Sequence, residues 1–364
     1  MIELPARPRI LVIALRRIGD VLLTTPLIRS LRRAWPDARI EALVFADTAG
    51  MLKGNPDLDG VIAFPARPTA GQSAKLASQL AKRYALAIST QSGDRPTFFA
   101  AIAGRVSLAP VGQGGAMGAL KRALVTHAVP VASNVHRVEE MLRLADAIGV
   151  PRVAELVAPQ GGARADLIPA QPYAVIHPAP MFHYKRWTSE GWRKLVEGLR
   201  QRGLKVLVTG GPAPAERAYL DEVLGVAPDV TRLDGVLAWH ELAALTGGSK
   251  VFVGPDTSVT HLAAASGAAT VALFGPTDPR LWGPWPVGGL TQPWAAAGTI
   301  QRRGNVWLVQ NPLPCLPCQL EGCDRHIDSY SRCMDELSVA QVLNAADSAL
   351  KAGPGARPAS GAQS

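Results

Sequence analysis

The sequence predicts an α/β fold of two Rossmann-like domains, each a parallel sheet with helices on both faces, facing a central cleft. Short apolar, often β-branched runs alternate with helical patterns in both halves of the 364-residue chain. Between the halves, VPRVAELVAPQGGARADLIPAQP (150–172) is rich in Pro, Gly and Ala, has no clear period and reads as the linker. A chain of this length also exceeds what one hydrophobic core usually serves. The expected organisation is an N-terminal domain over 1–160, a C-terminal domain over 161–350 and a disordered tail over 351–364, rich in Gly, Pro, Ala and Ser.

In the first half the strand candidates are Ile10–Leu15, Ile40–Phe45, Val61–Phe64, Tyr84–Ser89 and Val106–Leu108. The first, ILVIAL, is short, ends in Arg16-Arg17 and lacks a small-residue cleavage site, so it reads as a buried strand and not as a signal peptide. The helix pattern that follows runs over Asp20–Trp35. Leu27, Ile28, Leu31 and Trp35 fall on one stripe and Arg29, Arg32 and Arg33 off it, with Pro26 marking a kink or a tight first turn. In the second half the candidates are Tyr173–His177, Lys205–Thr209, Lys250–Val253, Thr270–Phe274 and Asn305–Val309.

Composition narrows the function classes. Apolar content of 48% is ordinary for a globular protein, and no apolar run approaches the length of a membrane span, so a cytoplasmic location is expected. The net charge of +9 suits a phosphorylated substrate, an anionic membrane surface or nucleic acid. The basic residues are dispersed and no nucleic-acid-binding motif is present, so nucleic acid is not expected as a partner. Four cysteines, Cys315, Cys318, Cys323 and Cys333, occupy one late segment, which argues against a secreted disulfide scaffold. Their C-L-P-C-x4-C-x9-C spacing, with His326 inside, does not match the paired CxxC spacing of a zinc ribbon; thiols in a surface loop are the expectation, with no bound metal or cofactor.

Four strand-to-helix junctions carry candidate chemistry. The most informative is VFVGPDTSVTH (251–261), an apolar strand running through a small-residue turn into a helix. That arrangement aims free backbone N–H groups at a phosphate, and Asp256, Thr257, Ser258 and His261 add a carboxylate, two hydroxyls and an imidazole. Asp256 also fits a helix cap, and His261 alone fits a packed core histidine. After the first strand comes Arg16-Arg17-Ile18-Gly19-Asp20, which lacks the G-x-G-x-x-G of a nicotinamide site. Asp20 reads either as a helix cap or as a carboxylate base able to take a proton from a sugar hydroxyl. His177-Pro-Ala-Pro-Met-Phe-His-Tyr-Lys185-Arg186-Trp187 follows the first strand of the second half, before a helix beginning near Thr188–Glu190. Lys185 there is either part of a solvated basic loop or a point charge for a phosphate leaving group. Finally, Gly210 and Gly211 follow a strand and precede Glu216, permitting close backbone approach to a ligand.

At these residues the chain resembles glycosyltransferase family 9, the lipopolysaccharide heptosyltransferases. The likeness spans about residues 9–350: RRIGDVLLTTPLIRSLR, VHRVEEMLRLADAIGV, HPAP…KRWTSEGW, VGPDTSVTHLAAASGAATVALFGPTDP and CLPCQLEGC…RCMDELSVAQV, in that order. The last piece is similar to the Cys-rich ending of the heptosyltransferase II-like branch. The resemblance implies a GT-B fold and inverting transfer of a heptose from ADP-heptose to the inner core of lipopolysaccharide, without a divalent metal. It implies Asp20 as general base and Lys185 on the donor phosphates. It also implies a donor site lined by Asp256, Thr257, Ser258 and His261, to which the Gly210-Gly211 turn and Glu216, the nearest acidic candidate for the ribose, are added from their own position after a strand. Arg16, Arg17, Gly19 and Arg95 would hold an anionic acceptor near the inner membrane surface. Two features depart from the family pattern: Ala179-Pro180-Met181-Phe182 is bulkier than usual after His-Pro, and Ala213 and Pro214 stand where an acidic ribose partner is expected. The rival readings are a nucleotide-sugar epimerase and a non-catalytic nucleotide- or glycan-binding member of the same fold.

Overall fold

Each half of the chain winds its own sheet. The computed structural model describes residues 1–225 and 230–353. It divides after Pro159 into two units, the second beginning at Gln160.

The first unit holds β1 (Arg9–Ala14), β2 (Arg39–Phe45), β3 (Gly60–Phe64), β4 (Tyr84–Ser89), β5 (Gly104–Val111) and β6 (His127–Pro130). All pair in parallel, in the order β3-β2-β1-β4-β5-β6. The helices are α1 (Ile18–Leu23), α2 (Thr25–Ala34), α3 (Ala70–Leu80), α4 (Asp94–Ala103), α5 (Ala116–Leu124) and α6 (Arg137–Asp146). Because side chains alternate along a strand, β1 feeds two cores. Ile10 and Val12 pack with Leu27 and Leu31 of α2 and Met141 and Leu144 of α6. Leu11 and Ile13 pack with Leu76 of α3 and Phe99 and Ala100 of α4. Since β1 and β4 are neighbours, the strand order reverses between them, and their carboxyl ends form the topological switch point where α/β proteins take ligands.

The single helix expected over Asp20–Trp35 is two. Thr24 ends α1 and caps α2, its hydroxyl turned back onto the Asp20 carbonyl at 2.9 Å. Pro26 stands in the first turn of α2, where its missing N–H costs nothing. Strand β6 was not expected: in the four residues HAVP only Val129 is buried, so no apolar alternation marks it. The amino-terminal part of the linker belongs to this unit. Val153 N–H donates to Ser30 Oγ, Val157 N–H to Thr25 Oγ1 and Arg29 to Glu155, tying the segment to α2.

The second unit holds β7 (Tyr173–Ile176), β8 (Lys205–Val208), β9 (Val230–Arg232), β10 (Val251–Pro255), β11 (Thr270–Leu273), β12 (Ile300–Arg303) and β13 (Val306–Val309). Their order is β12-β13-β11-β10-β7-β8-β9, with only the β12–β13 hairpin antiparallel. Helices α7 (Ser189–Gln201), α8 (Pro214–Leu224) and α13 (Val339–Ala352) share a core with one face of the sheet. Ala264 of α10 (Ser258–Ala265) packs with Phe274, Trp294 and Leu308 in a second core, and α9 (Trp239–Gly248) contacts α10. Two short helices, α11 (Pro279–Trp282) and α12 (Arg332–Asp335), complete the unit. The switch point lies between β7 and β10.

Strands β9 and β12 were not expected, because VTR is too short and IQRR too charged to show a period. The last strand begins at Val306 and not at Asn305, whose amide instead donates to the Ala264 and Ala268 carbonyls. Lys351 and Ala352, assigned to the tail from the sequence, close α13; the remaining tail from residue 354 lies outside the described residues. Among the described residues, no helix is long and apolar enough to cross a membrane.

Candidate active site

Asp20 does not cap its helix. It occupies the third position of α1; Arg17 is the N-cap residue, and it makes no side-chain capping bond. The Asp20 carboxylate instead meets two guanidinium groups: Oδ1 lies 3.3 Å from Arg16 Nη1 and 3.3 Å from Arg137 Nε. Arg137 is buried at the start of α6. It also pairs with Glu140 and donates to the Thr90 carbonyl just beyond β4. It therefore fixes Asp20 from the β4 side of the switch point, while Arg16 holds it from the β1 side. Sequence reasoning missed Arg137 as a site residue, although it lies inside the quoted VHRVEEMLR run; no local feature says that α6 begins beside β1.

Gly19 sits in the first turn of α1 and Arg17 is exposed beside it. Arg95 is exposed in the first turn of α4, its Nη1 3.5 Å from the Ala66 carbonyl. The basic residues expected to face an acceptor thus gather at the carboxyl edge of β1 and β4.

The second cluster is centred on Asp256, directly after β10. Its carboxylate is buried, yet Oδ2 accepts from Lys185 Nζ at 2.5 Å and from Thr277 Oγ1 at 2.7 Å. Oδ1 lies 3.8 Å from His261 Nε2. Burial alone would raise the Asp256 pKa; the adjacent Lys185 ammonium and the His261 ring outweigh it and hold the carboxyl far below the usual range. Removing either partner of such a buried pair leaves an uncompensated charge, so Asp256 and Lys185 fix one another.

The cap of α10 is Thr257 and not Asp256. The Thr257 side chain accepts from the Thr260 N–H, and Ser258 opens the helix partly exposed. His261 is buried, as a packed histidine would be, but its Nδ1 has no hydrogen-bond partner. Thr277 was not singled out from the sequence, though it lies in the quoted GPTDP run. Its signal is positional: β11 is parallel to β10, so the turn after β11 returns to the same edge.

Lys185 is placed by aromatic packing. Trp187 is buried, edge-on to Trp192 at 5.2 Å, and its indole N–H donates to the Leu337 carbonyl. Phe182 stacks on Tyr184 at 5.4 Å, so the bulky segment before Lys185 forms part of its support. Helix α7 begins as expected, with the Thr188 hydroxyl accepting from Gly191 N–H. His177, at the end of β7, is buried against Thr209 Oγ1 at 3.1 Å. Burial pushes its pKa down to about 4, against opposition from its hydrogen bonds, so the ring is neutral.

Glu216 turns back onto the loop that precedes its helix. Its Oε1 accepts the Gly211 N–H at 2.5 Å, so the carboxylate braces the β8–α8 turn. A Cβ at Gly211 would stand 2.4 Å from Glu216 Oε2, so a side chain there would displace the carboxylate from the turn.

The four cysteines lie near one another but differ in exposure. Cys315 and Cys323 are exposed and Cys318 half-buried, but Cys333, expected in a surface loop, is buried in α12 with its thiol pushed up to about 12, mainly by burial. Among the described residues, no group of three or more His, Cys, Asp or Glu side chains is arranged to hold a metal ion. A concavity of about 480 Å³ lined by Gln171, Arg200, Lys205 and Thr231 lies at the opposite, amino-terminal ends of β7 and β8, away from these clusters.

Two mostly parallel, doubly wound sheets, each carrying a polar cluster at its switch point, define the class: the GT-B fold of glycosyltransferases. The solved structure of Escherichia coli ADP-heptose lps heptosyltransferase II matches with a TM-score of 0.72 at 18% identity, covering 94% of this chain and 99% of that one. The family model of glycosyltransferase family 9 (heptosyltransferase) matches residues 74–291, and the chain belongs to that family. Lipopolysaccharide heptosyltransferase 3 of Escherichia coli is 30% identical over 73% of this chain and 83% of its own length. Lipopolysaccharide heptosyltransferase 1 of Pseudomonas aeruginosa is 27% identical over 92% and 93%.

Proposed function

We propose that this glycosyltransferase transfers a heptose from ADP-heptose to the inner core of lipopolysaccharide, in the cytoplasm at the surface of the inner membrane. The observation that carries the reading is the Lys185–Asp256–Thr277 group beside the start of α10, at the switch point of a chain belonging to glycosyltransferase family 9. An ammonium and a helix N-terminus on one sheet edge suit a diphosphate that becomes a leaving group. The names of the relatives support heptose as the sugar and lipopolysaccharide as the acceptor, and the name of the structural neighbour supports ADP-heptose as the donor.

The reaction is a single displacement with inversion. Asp20 takes the proton of the acceptor hydroxyl, whose oxygen attacks the anomeric carbon. The bond from that carbon to the β-phosphate oxygen breaks, and ADP departs with the electron pair. Arg137 and Arg16 keep Asp20 aimed, and with Arg17 and Arg95 they supply positive charge for an anionic acceptor. On the donor side, Lys185 neutralises the developing phosphate charge while Asp256 and Thr277 orient Lys185. Thr257, Ser258 and the first N–H groups of α10 add donors, His261 backs Asp256, and the Gly210-Gly211 turn braced by Glu216 lets backbone approach the nucleotide. No divalent metal takes part. The epimerase and non-catalytic readings are not favoured, because the family is one of glycosyltransferases.

Asp20→Asn tests the assignment. Transfer should fall by about 10²–10⁴-fold while ADP binding, which belongs to the other unit, stays at the wild-type value. Turnover retained in the variant would refute Asp20 as the base.

A further inference from the structure

Helix α5 is built inside out. Of its nine residues only Lys121 is buried, while Met117, Leu120 and Leu124 are 46%, 45% and 44% exposed. Spaced three and four apart, these three large apolar side chains form one stripe. Lys121 turns inward, its Nζ 2.5 Å from Asp94 Oδ1 and 2.7 Å from the Ser92 carbonyl. A helix facing water normally does the reverse, with its lysines outside and its leucines on the core. The flanking chain gives the charge of the partner. From Arg95 to Val138 there is no Asp or Glu, and Arg95, Arg105 and Arg122 are exposed.

An apolar stripe within a segment whose formally charged side chains are all basic matches the boundary of an anionic bilayer, where acyl carbon meets phosphate. A second copy fits less well, since a two-fold contact here would bring two copies of the same positively charged segment together. We propose that α5 is an interfacial helix that docks the N-terminal unit on an anionic lipid surface, with Met117, Leu120 and Leu124 entering the headgroup–acyl boundary. The placement is productive. Helix α5 leaves the carboxyl end of β5, and only β4 separates β5 from β1, so its start shares the sheet edge of Asp20, roughly 10 Å along it. The purpose of the docking rests on the proposed lipid-linked acceptor, whereas the exposed stripe and its charge stand without it.

The experiment is co-sedimentation of the full chain with mixed phosphatidylglycerol–phosphatidylcholine vesicles, comparing wild type with Leu120→Glu/Leu124→Glu. The wild type should pellet with the mixed vesicles and not with pure phosphatidylcholine, and the double variant should bind at least about tenfold more weakly. ADP binding and transfer to a deacylated, water-soluble acceptor should be equal in the two proteins. Those assays test the enzymatic reading separately, so its failure and the failure of the docking reading are distinguishable. A wild type that stays in the supernatant, equal binding by the variant, or equal binding to neutral vesicles would overturn the docking proposal. So would a wild-type dimer in light scattering that the variant converts to monomer, since the stripe would then be a contact between copies.

Discussion

At each site a charge pair distant in sequence helps to fix the key carboxylate. Asp20 was legible as a candidate because a carboxylate after the first strand of an α/β unit lies where ligands bind. Its partner Arg137 was not, since 117 residues separate the two and only the α6 packing unites them. Asp256 shows the same limit: local sequence allowed a cap, whereas Lys185, 71 residues away, claims its carboxylate and leaves the cap to Thr257. His177 gives a test at this scale. Its ring stays neutral in the fold down to about pH 4, while an unfolded histidine takes up a proton near 6.5. In the window between those values the unfolded state holds more protons, so stability falls as pH falls and is fully present above it. Between about pH 7 and about pH 5 the loss from this group should be about 2 kcal/mol, read from urea denaturation of the C-terminal unit. His177→Gln should remove that part of the pH dependence; an unchanged slope would assign it to other groups.

Elements were legible in proportion to their burial. The β1, β2, β4, β7 and β10 strands are nearly continuous apolar runs, because parallel strands are covered on both faces. The edge strands β6, β9 and β12 escaped because they are short or charged and partly exposed, whereas the edge strand β3 kept an alternating pattern and was legible. The break at Thr24 was hidden by two short helices whose apolar positions continue in phase. Close packing between elements makes a further prediction. A Cβ at Gly104 would stand 2.3 Å from the Val106 carbonyl oxygen and 2.9 Å from the Ala87 nitrogen, both backbone atoms of the β4–β5 pair. Gly104→Ala should therefore destabilise the N-terminal unit by about 1–3 kcal/mol or more in urea denaturation, leaving ADP affinity unchanged. Wild-type stability in that variant would mean that the strand ends shift at little cost.

For the whole molecule, the division of labour between two sheets predicts how the nucleotide is recognised. On the proposed reading, Lys185 and the start of α10 supply the positive charge for the diphosphate, so calorimetry should give ADP binding unchanged by EDTA, with UDP and GDP weaker by about tenfold or more. Binding lost on chelation would move the phosphate charge onto a metal ion and overturn this account. By itself the sequence determined the α/β class, the division into two sheets and the junctions that carry polar residues, because those follow from periodicity and local turn chemistry. Through its ordered motifs it also pointed to the family. Only the tertiary structure decided which charges meet: Arg137 with Asp20, and Lys185 and Thr277 with Asp256. It alone turned α5 inside out, burying Lys121 and exposing two leucines. The physical reason is the same in each case. A side chain's role depends on the field and contacts of residues distant in sequence, and parallel strand order sets those neighbours.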